Sequence, residues 1–200
     1  MIVEKSEITS LIVAPGSLSH RFINGRQISL RTLVIIFFTV NLISLAAHNQ
    51  SDLYAQMNNM PYSGIAKELA GKRIHQRKFE VTYETRSWIM SKVLLVLTVF
   101  YFSFALYFIN YRRGLSYFDH LAVSFEFMTF ATLVLTILSW LPGLIVSLVA
   151  IALLLYAFER NAYKQRVSKS VTNAALLVFL FYGVMLAYRA TVFFATMLTL

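Results

Sequence analysis

Five long apolar stretches dominate the chain and limit the folds that it can adopt. Only a helix satisfies all its backbone hydrogen bonds internally, so about 20 apolar residues in helix cross the roughly 30 Å hydrocarbon core of a bilayer. Hydrophobic residues make up 58% of the 200 residues and charged residues 14%. The predicted spans are 32–47, 88–110, 120–140, 141–158 and 171–193. The sequence therefore predicts an all-α, polytopic membrane helix bundle of about five transmembrane helices.

The first predicted span is short, which leaves a second topology open. Arg31 at its start must extend its charged end to the interface if the helix is to cross without thinning the bilayer. The alternative is a bundle of four spans with a re-entrant first segment.

Two regions follow from this division of the chain. Residues 1–31 are predicted to form a cytoplasmic N-terminal segment with an interfacial helix, since Leu18, Phe22 and Ile23 share an apolar side. Residues 32–200 form the membrane domain, which includes an extracytoplasmic loop at 48–87. Loose helical and strand-like patterns in that loop favour a small cap on the membrane surface, with a ligand-binding loop as the alternative.

The positions of lysine and arginine predict the orientation in the membrane. The net charge is +9, and basic residues collect in 1–31, 112–113 and 159–169, as the positive-inside rule requires of cytoplasmic segments. The basic loop at 48–87 is long enough to be translocated despite its charge. The predicted interfacial basic residues are Arg21, Arg26, Arg31, Arg112 and Arg113. This placement explains the charge without a nucleic-acid partner.

Other features narrow the chemistry that the chain can perform. Without cysteine there is no disulfide, thiolate metal ligand or cysteine nucleophile. Glu4 and Glu7 occupy positions where a signal peptide carries positive charge, so a cleaved signal is not expected. The sequence also lacks a nucleophile elbow, a phosphate-binding glycine loop and an HExxH zinc helix. No recognised motif therefore predicts catalytic residues, a metal or a cofactor, and we expect none from these motifs.

The start of the third predicted span carries ionisable side chains whose presence is not explained by insertion into lipid. They are Asp119, His120 and Glu126. Asp119 and Glu126 share a helix face, and Glu126 lies roughly 10 Å further along the axis. A buried acid must face the bundle interior, be protonated or have a partner, for which Tyr156 and Arg31 are candidates. A proton or cation path, a metal site and an internal polar network all remain open.

Small residues recur at every fourth position of the fifth predicted span. They are Gly183, Ala187, Thr191, Ala195 and Thr199. Small side chains at this spacing let two helix backbones approach closely. The sequence therefore predicts a helix-packing ridge, whose partner is another span or another protomer.

Two segments of the chain carry a resemblance to a known family: PGSLSHRFINGRQISLRTLVIIFF and YRRGLSYFDHLAVSFEFMTF. The first is similar to the Pro-Gly and Arg-Phe-Ile-x-Gly-Arg pattern before the first span of a bacterial membrane family, domain of unknown function 3667. The second is similar to the basic loop and third span of the same family. The closing YRATVFFATMLTL is compatible. The resemblance implies the membrane fold, a bacterial inner-membrane location and a role for His120.

The chain departs from that family's pattern at two places. Members commonly begin with a cysteine zinc ribbon, which this cysteine-free chain does not have. Glu126 and Met128 stand where further histidines follow in the family's third span, so a multi-histidine metal site is not implied. The family has no assigned activity.

The leading functional hypothesis is a non-enzymatic subunit or scaffold that acts through a membrane partner or through self-assembly. Its rival is a small transporter or channel-like protein that moves protons or cations past Asp119, His120 and Glu126. An intramembrane enzyme is the third alternative. The expected partners are the lipid bilayer and a membrane protein or a second copy of the chain.

Overall fold

A computed structural model describes residues 14–25, 28–47, 83, 85–87, 89–91, 93–138 and 144–199. The helices are α1 (Ser17–Ile23), α2 (Leu30–Ala47), α3 (Val96–Asn110), α4 (Tyr117–Leu138), α5 (Leu144–Asn161) and α6 (Val167–Leu198), with a 3-10 turn at Tyr111–Arg113. All regular structure in these residues is helical, so the predicted all-α class is confirmed for this part of the chain.

Among the described residues, two helices are long and apolar enough to cross a membrane, Tyr117–Ile137 and Val167–Leu198. A third span is present if Thr85–Ser91 and Val96–Asn110 form one bent span. The apolar part of α2, Leu30–Ser44, is shorter. A helical membrane protein is therefore supported, and the number of five spans stays a prediction.

Several predicted features lie outside the described residues. They include residues 1–13, the hairpin at 141–143, and the loop at 48–87 apart from residues 83 and 85–87. The strand-like FEVTY segment falls in that loop, and only Tyr83 of it is described, as a helical residue.

The chain divides into two compact units. The first unit comprises Met1–Ser44 and Val99–Val184, and the second comprises Leu45–Thr98 and Met185–Leu200. Within the second unit, the Tyr188 hydroxyl donates to the Ser91 carbonyl at 2.5 Å, and the Tyr83 ring lies 6.3 Å from that of Phe193.

Helix α4 lies at the centre of the first unit. Every residue from His120 to Ala131 is buried, and α4 packs against α1 and α5. From α2, the Phe37 ring meets Phe125 edge-on at 5.5 Å, and from α3 the Phe102 ring stacks on Phe127 at 4.5 Å. The polar side chains between His120 and Ala131 are therefore surrounded by protein.

Hydrogen bonds from hydroxyl groups of α4 hold α2 and α3 in position along this helix. Ser124 Oγ donates to the Val99 carbonyl of α3 at 2.7 Å. Thr132 Oγ1 donates to Asn41 Oδ1 of α2 at 3.2 Å. In an apolar environment, such interhelical bonds contribute to helix association and to its specificity.

Candidate functional site

The Glu126 carboxylate faces the beginning of α1 and accepts several hydrogen bonds there. Its Oε1 accepts from the backbone N–H groups of Gly16 at 3.0 Å and Leu18 at 3.4 Å. Its Oε2 accepts from the Ser19 N–H at 2.7 Å and the Ser19 hydroxyl at 2.5 Å. Only 1% of Glu126 is exposed. These donors provide the polar partner that a buried carboxylate requires.

This arrangement caps a helix with a side chain from a distant part of the chain. The first N–H groups of any helix have no partner within the helix. Gly16 is the N-cap residue of α1 and offers no side chain to accept them. Glu126 supplies the acceptor instead. Glu126 thus holds the N-terminal segment against α4.

The same segment also contacts the end of α5. Asn161 Nδ2 donates to the Pro15 carbonyl at 2.8 Å, and His20 Nδ1 lies 3.1 Å from the Ala162 carbonyl. Gly16 has a left-handed φ of 86°, and a Cβ there would lie 3.0 Å from the Ala162 nitrogen. Because both the conformation and the space require glycine, the Pro-Gly pair of the sequence has a structural explanation.

Asp119 has a local role at the beginning of α4. Its Oδ2 accepts from the N–H and the hydroxyl of Ser116, both at 2.8 Å, and its own N–H donates to Ser116 Oγ at 3.3 Å. This reciprocal pattern is a capping box with aspartate in place of glutamate.

His120 is fully buried and directed towards the segment that follows α5. Its Nδ1 lies 2.8 Å from the Tyr163 hydroxyl, and either group can be the donor. Burial raises the pKa of Tyr163 well above its ordinary value, and nearby Glu159 adds to the rise. The phenol is therefore protonated at neutral pH. His120 Nε2 has no partner among the described residues.

Glu159 is a second buried carboxylate, and it is not among the site residues that the sequence predicts. Its Oε2 accepts from Gln165 Nε2 at 2.7 Å and Asn173 Nδ2 at 3.0 Å, and its Oε1 accepts from Asn110 Nδ2 at 3.3 Å. Gln165 Nε2 also donates to Asn110 Oδ1 at 2.9 Å. The network joins the ends of α3 and α5 to the beginning of α6.

The sequence contains one weak signal for this network, the position of Glu159 next to the end of a predicted span. Asn110, Glu159 and Asn173 lie at or near the ends of predicted spans, and Gln165 lies in the basic segment at 159–169. Polar residues are ordinary at such positions. Glu159 directly follows the predicted fourth span, and side-chain amides donate its hydrogen bonds. The spacing of residues 110, 159, 165 and 173 has no local periodicity that would connect them.

The predicted interfacial arginines have different surroundings. Arg21 and Arg31 are exposed, whereas Arg26 and the side chain of Arg112 lie outside the described residues. Arg113 is half-buried: its Nη1 donates to the Tyr163 carbonyl at 2.7 Å, and its guanidinium carbon lies 5.2 Å from the Tyr163 ring centre.

The small-residue ridge lies mainly on the outer surface of α6. Gly183, Ala187 and Thr199 are exposed, and Thr191 and Ala195 are half-buried. No described atom outside α6 lies within 4 Å of a Cβ built on Gly183. The buried face of α6 carries larger residues such as Phe181 and Tyr188. Packing of the ridge against protein stays a prediction.

No protein-family model, curated protein or solved structure matches the chain. Within the described residues, no three His, Asp or Glu side chains are placed to hold one metal ion. The resemblance to the domain of unknown function 3667 family stays a prediction that rests on the two quoted segments.

Proposed function

We propose that the protein is a multi-pass protein of the bacterial inner membrane that acts as a non-enzymatic subunit or scaffold, through a membrane partner or self-assembly. The observation that carries this proposal is the Glu126 site. A membrane-embedded acid such as Glu126 is not explained by insertion into lipid. Glu126 accepts hydrogen bonds from Gly16, Leu18 and Ser19, and these bonds attach the N-terminal segment to the central helix. A role in organising the fold accounts for its presence.

The same geometry disfavours the rival transporter or channel. A proton or cation carrier must exchange its bound ion with solvent on each cycle. Glu126 can do so only if α1 releases its backbone donors, which would leave several buried N–H groups without partners at about 1–3 kcal/mol each. Asp119 accepts hydrogen bonds that cap its own helix. It is therefore not available as a second acid for a proton or cation path along the face that it shares with Glu126.

A cytoplasmic N-terminus is part of the proposal and has separate support. Pro15 is bonded to Asn161, and Arg113 to Tyr163, so the three basic segments meet at one end of the first unit. The positive-inside rule assigns such an end to the cytoplasm. At 1.5 Å per residue, the 32 residues of α6 extend about 48 Å, so its first turns can lie beyond the hydrocarbon core.

The proposed assembly surface is the ridge on α6, which includes Gly183 and Ala187. Small exposed residues allow a second helix to approach closely, which bulky side chains at the same positions would prevent. Leu186 lies beside this ridge and is 54% exposed. Ala187→Leu is therefore the test variant, and Leu186→Ala, a change of comparable size on the neighbouring face, is the matched control.

The experiment measures the mass of the purified protein in a mild detergent by size exclusion with light scattering. We expect wild type to be an oligomer or a stoichiometric complex, Ala187→Leu to lower the assembled fraction severalfold, and Leu186→Ala to leave it unchanged. Equal tolerance of both substitutions would mean that the ridge faces lipid. A wild-type monomer without a partner would remove the scaffold proposal.

A further inference from the structure

A pocket of about 330 Å³ opens in the first unit where α1, the turn at Tyr111–Arg113 and the segment after α5 meet. Its polar lining consists of His20, Asn24, Arg113, Tyr163 and Lys164. The remaining lining residues are apolar, so the described part of the wall contains two permanent cations and no carboxylate. Neither the capping of α1 nor the Glu159 network uses this space.

Arg113 is held in a fixed orientation beside the pocket. One N–H of its guanidinium donates to the Tyr163 carbonyl at 2.7 Å, and the group lies over the Tyr163 ring at 5.2 Å. Its Nε is buried and has no partner among the described residues. A guanidinium has five N–H donors in a planar fork, so a positioned arginine with donors to spare is suited to an oxyanion.

Lys164 forms another part of the wall and has an unusual backbone conformation. Its φ is 52°, and in the described residues it is the sole non-glycine residue with positive φ. Shortly after a helix, such a left-handed position is normally occupied by glycine or asparagine, which adopt it at lower cost. A lysine at this position therefore indicates that the charged side chain of Lys164 has a function.

We propose that this pocket binds a phosphate group, either of an anionic lipid headgroup or of a free phosphate. Phosphate oxygens accept hydrogen bonds and carry negative charge, which matches a wall with Arg113 and Lys164 and no described acid. The pocket also lies at the end of the first unit where the basic segments meet. The site is independent of the ridge on α6 and adds a ligand to the scaffold proposal.

Two variants and one matched control test the site in the full chain. Lys164→Asn removes the charge and places in the left-handed position a residue that tolerates it, so we expect it to fold. Arg113→Gln removes the guanidinium. Arg166→Asn is the control because it removes one charge from the same segment, outside the pocket. Arg166 also precedes α6, where asparagine is a favourable N-cap.

Binding is measured by calorimetric titration of the delipidated protein in detergent. The probes are dioctanoyl phosphatidylglycerol, inorganic phosphate and dioctanoylglycerol, which has the same chains and no phosphate. We expect phosphatidylglycerol to bind and dioctanoylglycerol not to. Arg113→Gln should weaken binding about tenfold or more and Lys164→Asn about threefold, while Arg166→Asn changes it by less than about twofold.

The probes also separate the two sources of phosphate. If inorganic phosphate competes with phosphatidylglycerol, the pocket recognises phosphate itself, and if it does not, the lipid headgroup is the ligand. Two results would overturn the proposal: equal binding of dioctanoylglycerol, or weakening by Arg166→Asn as large as that by Lys164→Asn, which would indicate a diffuse basic surface. Should Arg113→Gln fail to fold, Lys164→Asn and its control decide the question.

Discussion

Two buried carboxylates of the first unit, Glu126 and Glu159, are stabilised in different ways. Glu126 accepts mainly from backbone N–H groups, whose directions are set by the path of the chain. Glu159 accepts from the side-chain amides of Asn110, Gln165 and Asn173. An amide can rotate to present its oxygen instead of its nitrogen, whereas a backbone N–H remains a donor. Position 126 therefore requires a carboxylate, whereas position 159 can accept a substitute.

The two sites also connect different parts of the chain. Glu126 bonds to residues more than 100 positions earlier and so attaches the N-terminal segment to the bundle. Glu159 bonds to residues at most 49 positions away, at the ends of neighbouring helices. Loss of the first acid should release a whole segment, and loss of the second should loosen only the helix ends.

The largest expected effect is that of Glu126→Gln. The glutamine amide nitrogen would face N–H groups that cannot turn away, so we expect a loss of about 2–4 kcal/mol in the free energy of unfolding. Denaturant titration in detergent measures this loss, and limited proteolysis should detect release of the N-terminal segment. Met128→Leu, a volume-conserving change at a buried neighbour, is the control and should cost less than about 1.5 kcal/mol.

Two outcomes of that experiment would change the interpretation of Glu126. A stable Glu126→Gln protein with an intact N-terminal segment would show that the backbone bonds matter little to the fold. If such a stable variant also lost a measurable proton or cation flux in vesicles, the transporter hypothesis would replace the scaffold.

An intermediate effect is expected for Gly16→Ala. The new Cβ would strain a backbone with φ of 86° and approach the Ala162 nitrogen to 3.0 Å. Gly25 has φ of 66° but no described atom within 4 Å of an added Cβ, so Gly25→Ala carries the backbone strain alone. We expect Gly25→Ala to cost about 1 kcal/mol and Gly16→Ala about 1–2 kcal/mol more. Equal losses would show that the contact with Ala162 is not tight.

The smallest expected effect is that of Glu159→Gln. Rotation of Asn173 or Gln165 would offer an oxygen to the new amide, so we expect a loss below about 1 kcal/mol. The same denaturant titration compares this variant directly with Glu126→Gln. Similar losses for the two variants would refute the distinction between fixed backbone donors and adaptable amides.

The sequence by itself determined the helical class, the membrane-compatible composition and the need of Glu126 for a polar environment. These properties depend on local composition and on the cost of burying charge, both of which can be read from neighbouring residues. Helix ends were less well determined. The predicted span at 171–193 lies within a helix that runs from Val167 to Leu198, because a helix continues beyond the apolar residues while its backbone bonds are satisfied.

Only the tertiary structure decided which groups meet. The sequence suggests Tyr156 and Arg31 as partners of Glu126, whereas the donors are those of Gly16, Leu18 and Ser19. Backbone N–H groups are present at almost every residue, so no sequence pattern distinguishes the ones that will face an acid. The Glu159 network and the pocket at Lys164 likewise depend on how distant helix ends pack, which side-chain spacing along the chain does not encode.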